Sequence, residues 1–361
     1  MFCQVEADQV LAVRDVESTY HVPLLLEKQG LVKQLSELFR LSDFSIQPQL
    51  LKRGQQIWKS WTELTTSQER YLESQKVTVA LVGKYTKLHD SYTSVIKSLE
   101  HSALAIKHKL HIEFIEGSHL EDVTQESDPE TFHAAWHKLC KADGVLVPGG
   151  FGDRGIEGMI KAARWARTKP KPFLGICLGM QVAVIEYARN VIGLKDAHSA
   201  EFNDLAADKL VMFMPEIDTK TMGGNMRLGR RPTFFQEDSE WSRLRQLYGG
   251  ASSVDERHRH RYEVNPVYIE KLSSAGLNFI GKDETGERME VVELKDHPFF
   301  VGVQFHPEYL SRVLRPSPPF LGFVAASAGV LDEVTAKFGE KQQAHAVNGD
   351  GLAAQINGVV I

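Results

Sequence analysis

From residue 76 to about residue 176 the apolar positions alternate between two rhythms. Short β-rich runs, Val77-Thr78-Val79-Ala80-Leu81-Val82, Ile112-Glu113-Phe114-Ile115, Val145-Leu146-Val147 and Phe173-Leu174-Gly175-Ile176, predict strands. Helical spacing predicts helices over Val95 to Ile106, Phe132 to Leu139 and Ile160 to Ala166, and another starting near Met180 and running through Val184, Ile185 and Ala188. Such alternation gives an α/β fold, a doubly wound and mostly parallel sheet with helices on both faces. Beyond residue 209 come short strand-like runs, among them Met289 to Leu294 and Phe299 to Phe305, which predict a mixed or antiparallel extension.

The flanks differ. Residues 1–45 read as the end of a domain: an apolar strand at Val10-Leu11-Ala12-Val13, then one helix opening near Pro23 and running through Leu24, Leu25, Leu31, Leu35 and Phe39. Residues 46–75 predict a connector with an amphipathic helix through Ile57, Trp58, Trp61 and Leu64, its aromatic stripe serving packing. The main domain spans 76–330, and the small, polar segment 331–361 is expected to be a disordered tail.

Composition narrows the function classes. A formal charge of −5 over 361 residues argues against a general nucleic-acid binder, so small molecules or proteins are the expected partners. The three cysteines, Cys3, Cys140 and Cys177, have no paired spacing, which suggests neither a disulfide framework nor a metal site and fits a reducing, cytoplasmic setting. No export signal or membrane span is read.

Candidate chemistry centres on Gly175-Ile176-Cys177-Leu178-Gly179, a strand, tight turn and helix start that would hold a thiol above the sheet edge. The helix N-terminus favours thiolate, and the Leu178 N–H is placed to meet an oxyanion. On the pentapeptide alone, a buried apolar cysteine is an equal reading. Val147-Pro148-Gly149-Gly150-Phe151-Gly152 leaves a strand into a glycine loop; it is either a plain turn or a second oxyanion donor at Gly150. His306-Pro307-Glu308 supplies an imidazole and a carboxylate to orient it, so Cys177, His306 and Glu308 form a candidate triad.

Together these motifs resemble the class I glutamine amidotransferase domain. Pro148 to Gly155, Gly223-Gly-Asn-Met-Arg-Leu-Gly229 and Glu256-Arg-His-Arg-His-Arg-Tyr-Glu-Val-Asn265 resemble, more narrowly, the CTP synthase family. These motifs weigh against a γ-glutamyl hydrolase or another amidotransferase of the same fold. The resemblance implies L-glutamine hydrolysis through a thioester, with the ammonia used for ATP-dependent amination of UTP. It implies Glu201 for the substrate ammonium, Arg261 for its carboxylate, and Gly150, Leu178, Gly179, Met180 and Gln181 along the scissile side. It assigns a GTP-responsive lid to the loop from Phe151 to Arg154, and an ATP-site remnant to Arg14, Asp15 and Val16. In an extended stretch Arg257, Arg259 and Arg261 would share one face and His258 and His260 the other. Asn225 departs mildly from the family, where threonine is more usual.

A phosphate-binding glycine-lysine loop and magnesium ligands, which the family's synthetase half carries, are not found. Gly83-Lys84 lacks the earlier glycine and the following Ser or Thr. The expectation is therefore glutaminase chemistry without bound cofactor, with ATP, Mg2+ and GTP belonging to the complete enzyme. The family's homo-oligomer is doubtful for this chain, and the alternative is a non-catalytic subunit that associates with a full-length partner.

Overall fold

The computed structural model describes residues 5–6, 9–16, 18–66, 75–214 and 226–337. Asn225, the first three residues of the Gly223-to-Gly229 motif and the tail beyond residue 337 lie outside them. The chain divides into two compact units, Met1–Leu72 and Glu73–Ile361.

The first unit contains α1 (Val22–Lys28), α2 (Leu31–Leu38) and α3 (Pro48–Thr66). The single helix expected after Pro23 is broken at Gly30, whose φ of 85° no helix accommodates. The strand expected at Val10 to Val13 is also absent. The Gln29 side chain takes over the pairing there, accepting from Ala12 N–H at 2.8 Å and donating to the Ala12 carbonyl at 2.9 Å. On α3, the Trp61 indole N–H donates to the Tyr20 carbonyl at 3.1 Å, and the two rings meet edge to face. Trp61 packs as its spacing suggests, whereas Ile57 and Trp58 of the same stripe are exposed.

In the second unit the predicted alternation appears as β1 (Lys76–Gly83), α4 (Thr93–Ala105), β2 (Lys109–Glu116), α5 (Asp122–Ser127), α6 (Pro129–Lys141), β3 (Gly144–Val147), α7 (Ile156–Thr168), β4 (Phe173–Ile176) and α8 (Leu178–Asn190). Then come β5 (Ala197–Ser199), β6 (Asp208–Phe213), β7 (Arg227–Phe235), α9 (Arg243–Leu247), β8 (Ser253–His260), β9 (Tyr262–Val264), α10 (Ile269–Ser274), β10 (Leu277–Lys282), β11 (Met289–Leu294), β12 (Phe300–Val303) and α11 (Pro318–Ser327). One nine-stranded sheet runs β2-β1-β3-β4-β12-β11-β10-β7-β8, parallel from β2 to β12 and antiparallel thereafter. A small second sheet, β5-β6-β9, stands apart.

The central strands β3, β4 and β12 are buried along their whole length, as expected where helices cover both faces. One apolar core, including Leu120, Leu139, Met159 and Met180, forms around α6, α7 and α8. The other, including Leu99, Phe320 and Phe323, forms around α4 and α11 on the opposite face. The chain stays helical over 331–337, where Leu331 and Val334 join that second core, so order continues past the expected end at residue 330.

Candidate active site

The site grows from the adjacent strands β4 and β12, which pair in parallel with Ile176 opposite Val303. Cys177 follows β4 with φ 52° and ψ −101°, a conformation rare for a residue with a side chain. Its N–H is anchored on the Val303 carbonyl at 2.7 Å, and α8 begins at the next residue. The frame glycines are demanded by close backbone approach: a Cβ at Gly175 would lie 2.5 Å from the Gly179 carbonyl oxygen, and one at Gly179 only 2.0 Å from that of Val147. No side chain fits between such atoms, so the elbow is packed against β3 as well as bent.

His306 follows β12, its N–H bonded to the Arg257 carbonyl at 2.7 Å. Its Nδ1 lies 2.8 Å from Glu308 Oε1 in the short turn Pro307–Leu310. The Ser98 hydroxyl of α4 donates to the Glu308 carbonyl at 3.3 Å and steadies that turn. Burial alone would lower the His306 pKa, but the hydrogen bonds and charges of Cys177 and then Glu308 prevail and push it up to about 11. The imidazole is therefore held as imidazolium between a sulfur and a carboxylate. The loop after β3 closes on both residues, since a Cβ at Gly149 would sit 2.7 Å from His306 Cε1 and 3.5 Å from Cys177 Cβ.

A cavity of about 280 Å³ opens beside the thiol, lined by Gly150, Phe151, Cys177, Leu178, Gln181, Glu201, Arg259, His260, Arg261 and Tyr262. Seven of these were candidate site residues in the sequence. Met180 was another, but its side chain is fully buried in the apolar core, because one turn of α8 must face the sheet. Gly179 contributes its close contact with Val147 rather than a cavity wall. Along β8 the arginines and histidines alternate as expected, with Arg257 and Arg259 exposed and His258 and His260 buried. Arg261 sits where the chain turns from β8 into β9 and lines the cavity together with Arg259 and His260.

Glu201 is raised above its usual carboxylate range by burial, with the Gly152 N–H, Lys84 and Arg261 pulling the other way. Arg154 does not line the cavity; it pairs with Glu116 at 3.2 Å and covers the Tyr85 ring. Arg14, Asp15 and Val16 belong to the other unit, where Val16 lines a cavity with His21, Leu24, Leu25, Lys28 and Thr66.

Besides Arg259, His260 and Tyr262 in the cavity wall, two residues next to the site were given no role there by the sequence. Lys84 is buried, and its ammonium donates to the carbonyls of Phe151 and Gly152, which ties β1 to the glycine loop. Burial lowers its pKa to about 8 against the raising effect of Glu201, Asp153 and Glu116. Gln304, the second, is buried with its Nε2 3.5 Å from Cys177 Sγ. A polar residue set between apolar Val303 and Phe305 was its one sequence signal.

The class-I glutamine amidotransferase family model matches residues 87–326, two thirds of the chain, and includes the whole triad. The chain belongs to the class-I glutamine amidotransferase family. It is 58% identical over 333 residues to the CTP synthase of Neurospora crassa, covering 92% of this chain and 57% of that protein. It is 57% identical to the CTP synthase of Schizosaccharomyces pombe, covering 92% of this chain and 55% of that one. The amidotransferase chain thus spans somewhat more than half the length of these relatives. Among solved structures it resembles the glutaminase domain of Trypanosoma brucei CTPS with bound acivicin, with a TM-score of 0.64 and 42% identity over 70% of this chain and 94% of that one.

Proposed function

We propose that this chain hydrolyses L-glutamine to glutamate and ammonia through a γ-glutamyl thioester on Cys177, as the glutaminase part of a CTP synthase. The observation that carries the reading is the His306–Glu308 pair set against Cys177, whose thiol opens onto a cavity that also presents Glu201 and Arg261. An amino-acid substrate needs an anion for its ammonium and a cation for its carboxylate, and the cavity wall offers Glu201 for the first and Arg261, beside Arg259, for the second.

With His306 held protonated, the sulfur it faces is ready to attack as thiolate. Cys177 Sγ adds to the side-chain amide carbon, and the N–H groups of Gly150 and Leu178 receive the oxyanion. His306 gives its proton to the departing nitrogen, so ammonia leaves and the thioester remains. The imidazole, now neutral, draws a proton from water as that water attacks, and glutamate is released with thiolate and imidazolium restored. With the His306 pKa pushed up to about 11, the proton rests on the imidazole before substrate is attacked.

The ammonia would serve amination of UTP at the expense of ATP, as the resemblance to CTP synthases implies, with GTP acting at the loop from Phe151 to Arg154. We infer a cytoplasmic activity and leave the family's homo-oligomer to the complete enzyme. The described residues do not fit ATP with magnesium: Lys84 is committed to two carbonyls of the glycine loop, and no glycine-lysine phosphate loop accompanies it. None of the glutaminase steps passes through that nucleotide. Glutamate release from glutamine by the purified chain, abolished in Cys177→Ala with the fold retained, tests the proposal. Unchanged turnover in that variant would remove Cys177 from the mechanism, and co-purification with a full-length partner without glutamate release would favour a non-catalytic subunit.

A further inference from the structure

A line of buried amides leads from the cavity wall to the nucleophile. Gln181 Nε2 lies 3.0 Å from the Tyr262 carbonyl oxygen and 3.2 Å from the Gln304 side-chain amide, and the other end of that amide lies 3.5 Å from Cys177 Sγ. The orientation of this line follows from its first member. A main-chain carbonyl only accepts, so Gln181 must turn its NH2 toward Tyr262. The same NH2 faces Gln304, which must therefore present Oε1 to it. Gln304 is left with its NH2 directed at the sulfur, and flipping either amide would set two donors or two acceptors against each other.

Both glutamines are almost fully buried, so neither can exchange these partners for water at small cost. The Tyr262 carbonyl also faces His260 Nδ1 at 3.1 Å, which fixes it further. An N–H···S distance of this size is that of a genuine hydrogen bond to sulfur. Its donor is neutral, and it approaches from the segment just after β12, which also carries His306. A donor gains far more from a thiolate than from a thiol, because hydrogen bonds to charged groups are the stronger kind.

We propose that Gln304 is a catalytic residue that stabilises the Cys177 thiolate through its side-chain N–H, with Gln181 and the Tyr262 carbonyl as the positioning relay that fixes its orientation. The assignment rests on Cys177 being the nucleophile. It gives Gln181 a second duty besides lining the cavity, and it explains a buried polar side chain in an otherwise apolar strand end. His306 and Gln304 would share the sulfur's charge, so the thiolate does not depend on the imidazolium alone.

The test is the pH dependence of iodoacetamide alkylation at Cys177 in the full chain, read by peptide mass spectrometry with exposed Cys140 as internal control. Removing the donor in Gln304→Met should hold the proton on sulfur roughly tenfold more tightly, moving the acid limb at Cys177 up by about one pH unit and leaving Cys140 unchanged. Gln304→Glu keeps the length but sets a carboxylate beside the sulfur, and its limb should move further in the same direction. An unmoved limb in either folded variant, or an equal loss of rate at every pH, would overturn the proposal. Alkylation needs no glutamine, so a chain that never turned glutamine over would refute the glutaminase reading while this shift remained measurable.

Discussion

Replacing Glu308 with glutamine tests the charge arrangement at the triad. Glu308 Oε1 lies 2.8 Å from His306 Nδ1 and both side chains are nearly buried, so the bond is charge-assisted and poorly screened. The substituted amide would keep an acceptor oxygen in place and lose only the negative charge. The difference between a charged and a neutral hydrogen bond is about 1 to 1.5 kcal/mol, which corresponds to roughly a tenfold change in rate or in proton affinity. Glu308→Gln should therefore lower glutaminase kcat about tenfold with little change in KM, because the lost charge faces the imidazolium and not the substrate. The sign of the pH effect follows from His306. Its pKa is raised to about 11, the Cys177 sulfur being the first of the raising causes and Glu308 the second, so losing the carboxylate must lower it. The basic limb of the rate profile should move to lower pH by about one unit. Steady-state assays from about pH 6 to 11 would measure both effects. Full activity with an unmoved basic limb would show that Glu308 does not support the imidazolium.

Three further expectations follow from burial and packing. Gly179→Ala would press a methyl against the Val147 carbonyl, where a Cβ stands only 2.0 Å away; it should cost about 1–3 kcal/mol, lower Tm by several degrees and disturb the elbow, and an unchanged Tm would show the contact to be yielding. Glu201→Gln and Arg261→Ala should raise KM for glutamine more than they lower kcat, and a pure kcat effect would contradict their assignment to substrate binding. Glu256 is pushed up to about 8 by burial, with its Oε1 accepting from Tyr248 and its Oε2 unpartnered. The folded state then holds a proton that the unfolded state releases near pH 4.5, so this carboxyl makes stability fall as pH rises from about 4.5 to 8. Glu256→Gln, which can still accept from Tyr248, should flatten that decline in urea titrations; an equally steep decline in the variant would place its origin elsewhere.

The parallel half of the sheet was legible because each strand there is buried on both faces and announces itself as a short apolar run. β5 and β9 were not, since three-residue strands carry too little pattern to show a period. The Val10 to Val13 run has strand composition but no backbone partner, and Gln29 satisfies it from 17 residues away. The break at Gly30 had a visible cause, a glycine in the pattern, yet leucines on both sides disguised two helices as one. At the site, the triad and much of the cavity wall could be read because their residue types are tied to chemistry. Met180 shows the limit of carrying a contiguous stretch into a site, since α8 turns each successive side chain by about 100°. Lys84 and Gln304 were hidden for a different reason: their partners lie 67 and 127 positions away, and only the fold brings them together.

The parallel pairing of β4 with β12 makes the sheet a ruler for the reaction. Cys177 and His306 each stand just beyond the end of one of these neighbouring strands, so their separation is graduated by the hydrogen-bond ladder and not by the chain that joins them. The loops between the end of α8 and the start of β12 can lengthen or shorten without altering that spacing, as long as β11 stays paired with β12 and β8 keeps its Arg257 carbonyl on the His306 N–H. Such a division leaves substrate choice and regulation free to vary around a fixed thiol and imidazole, and it puts the chemistry at risk from a one-residue slip between two strands more than from any change in the loops.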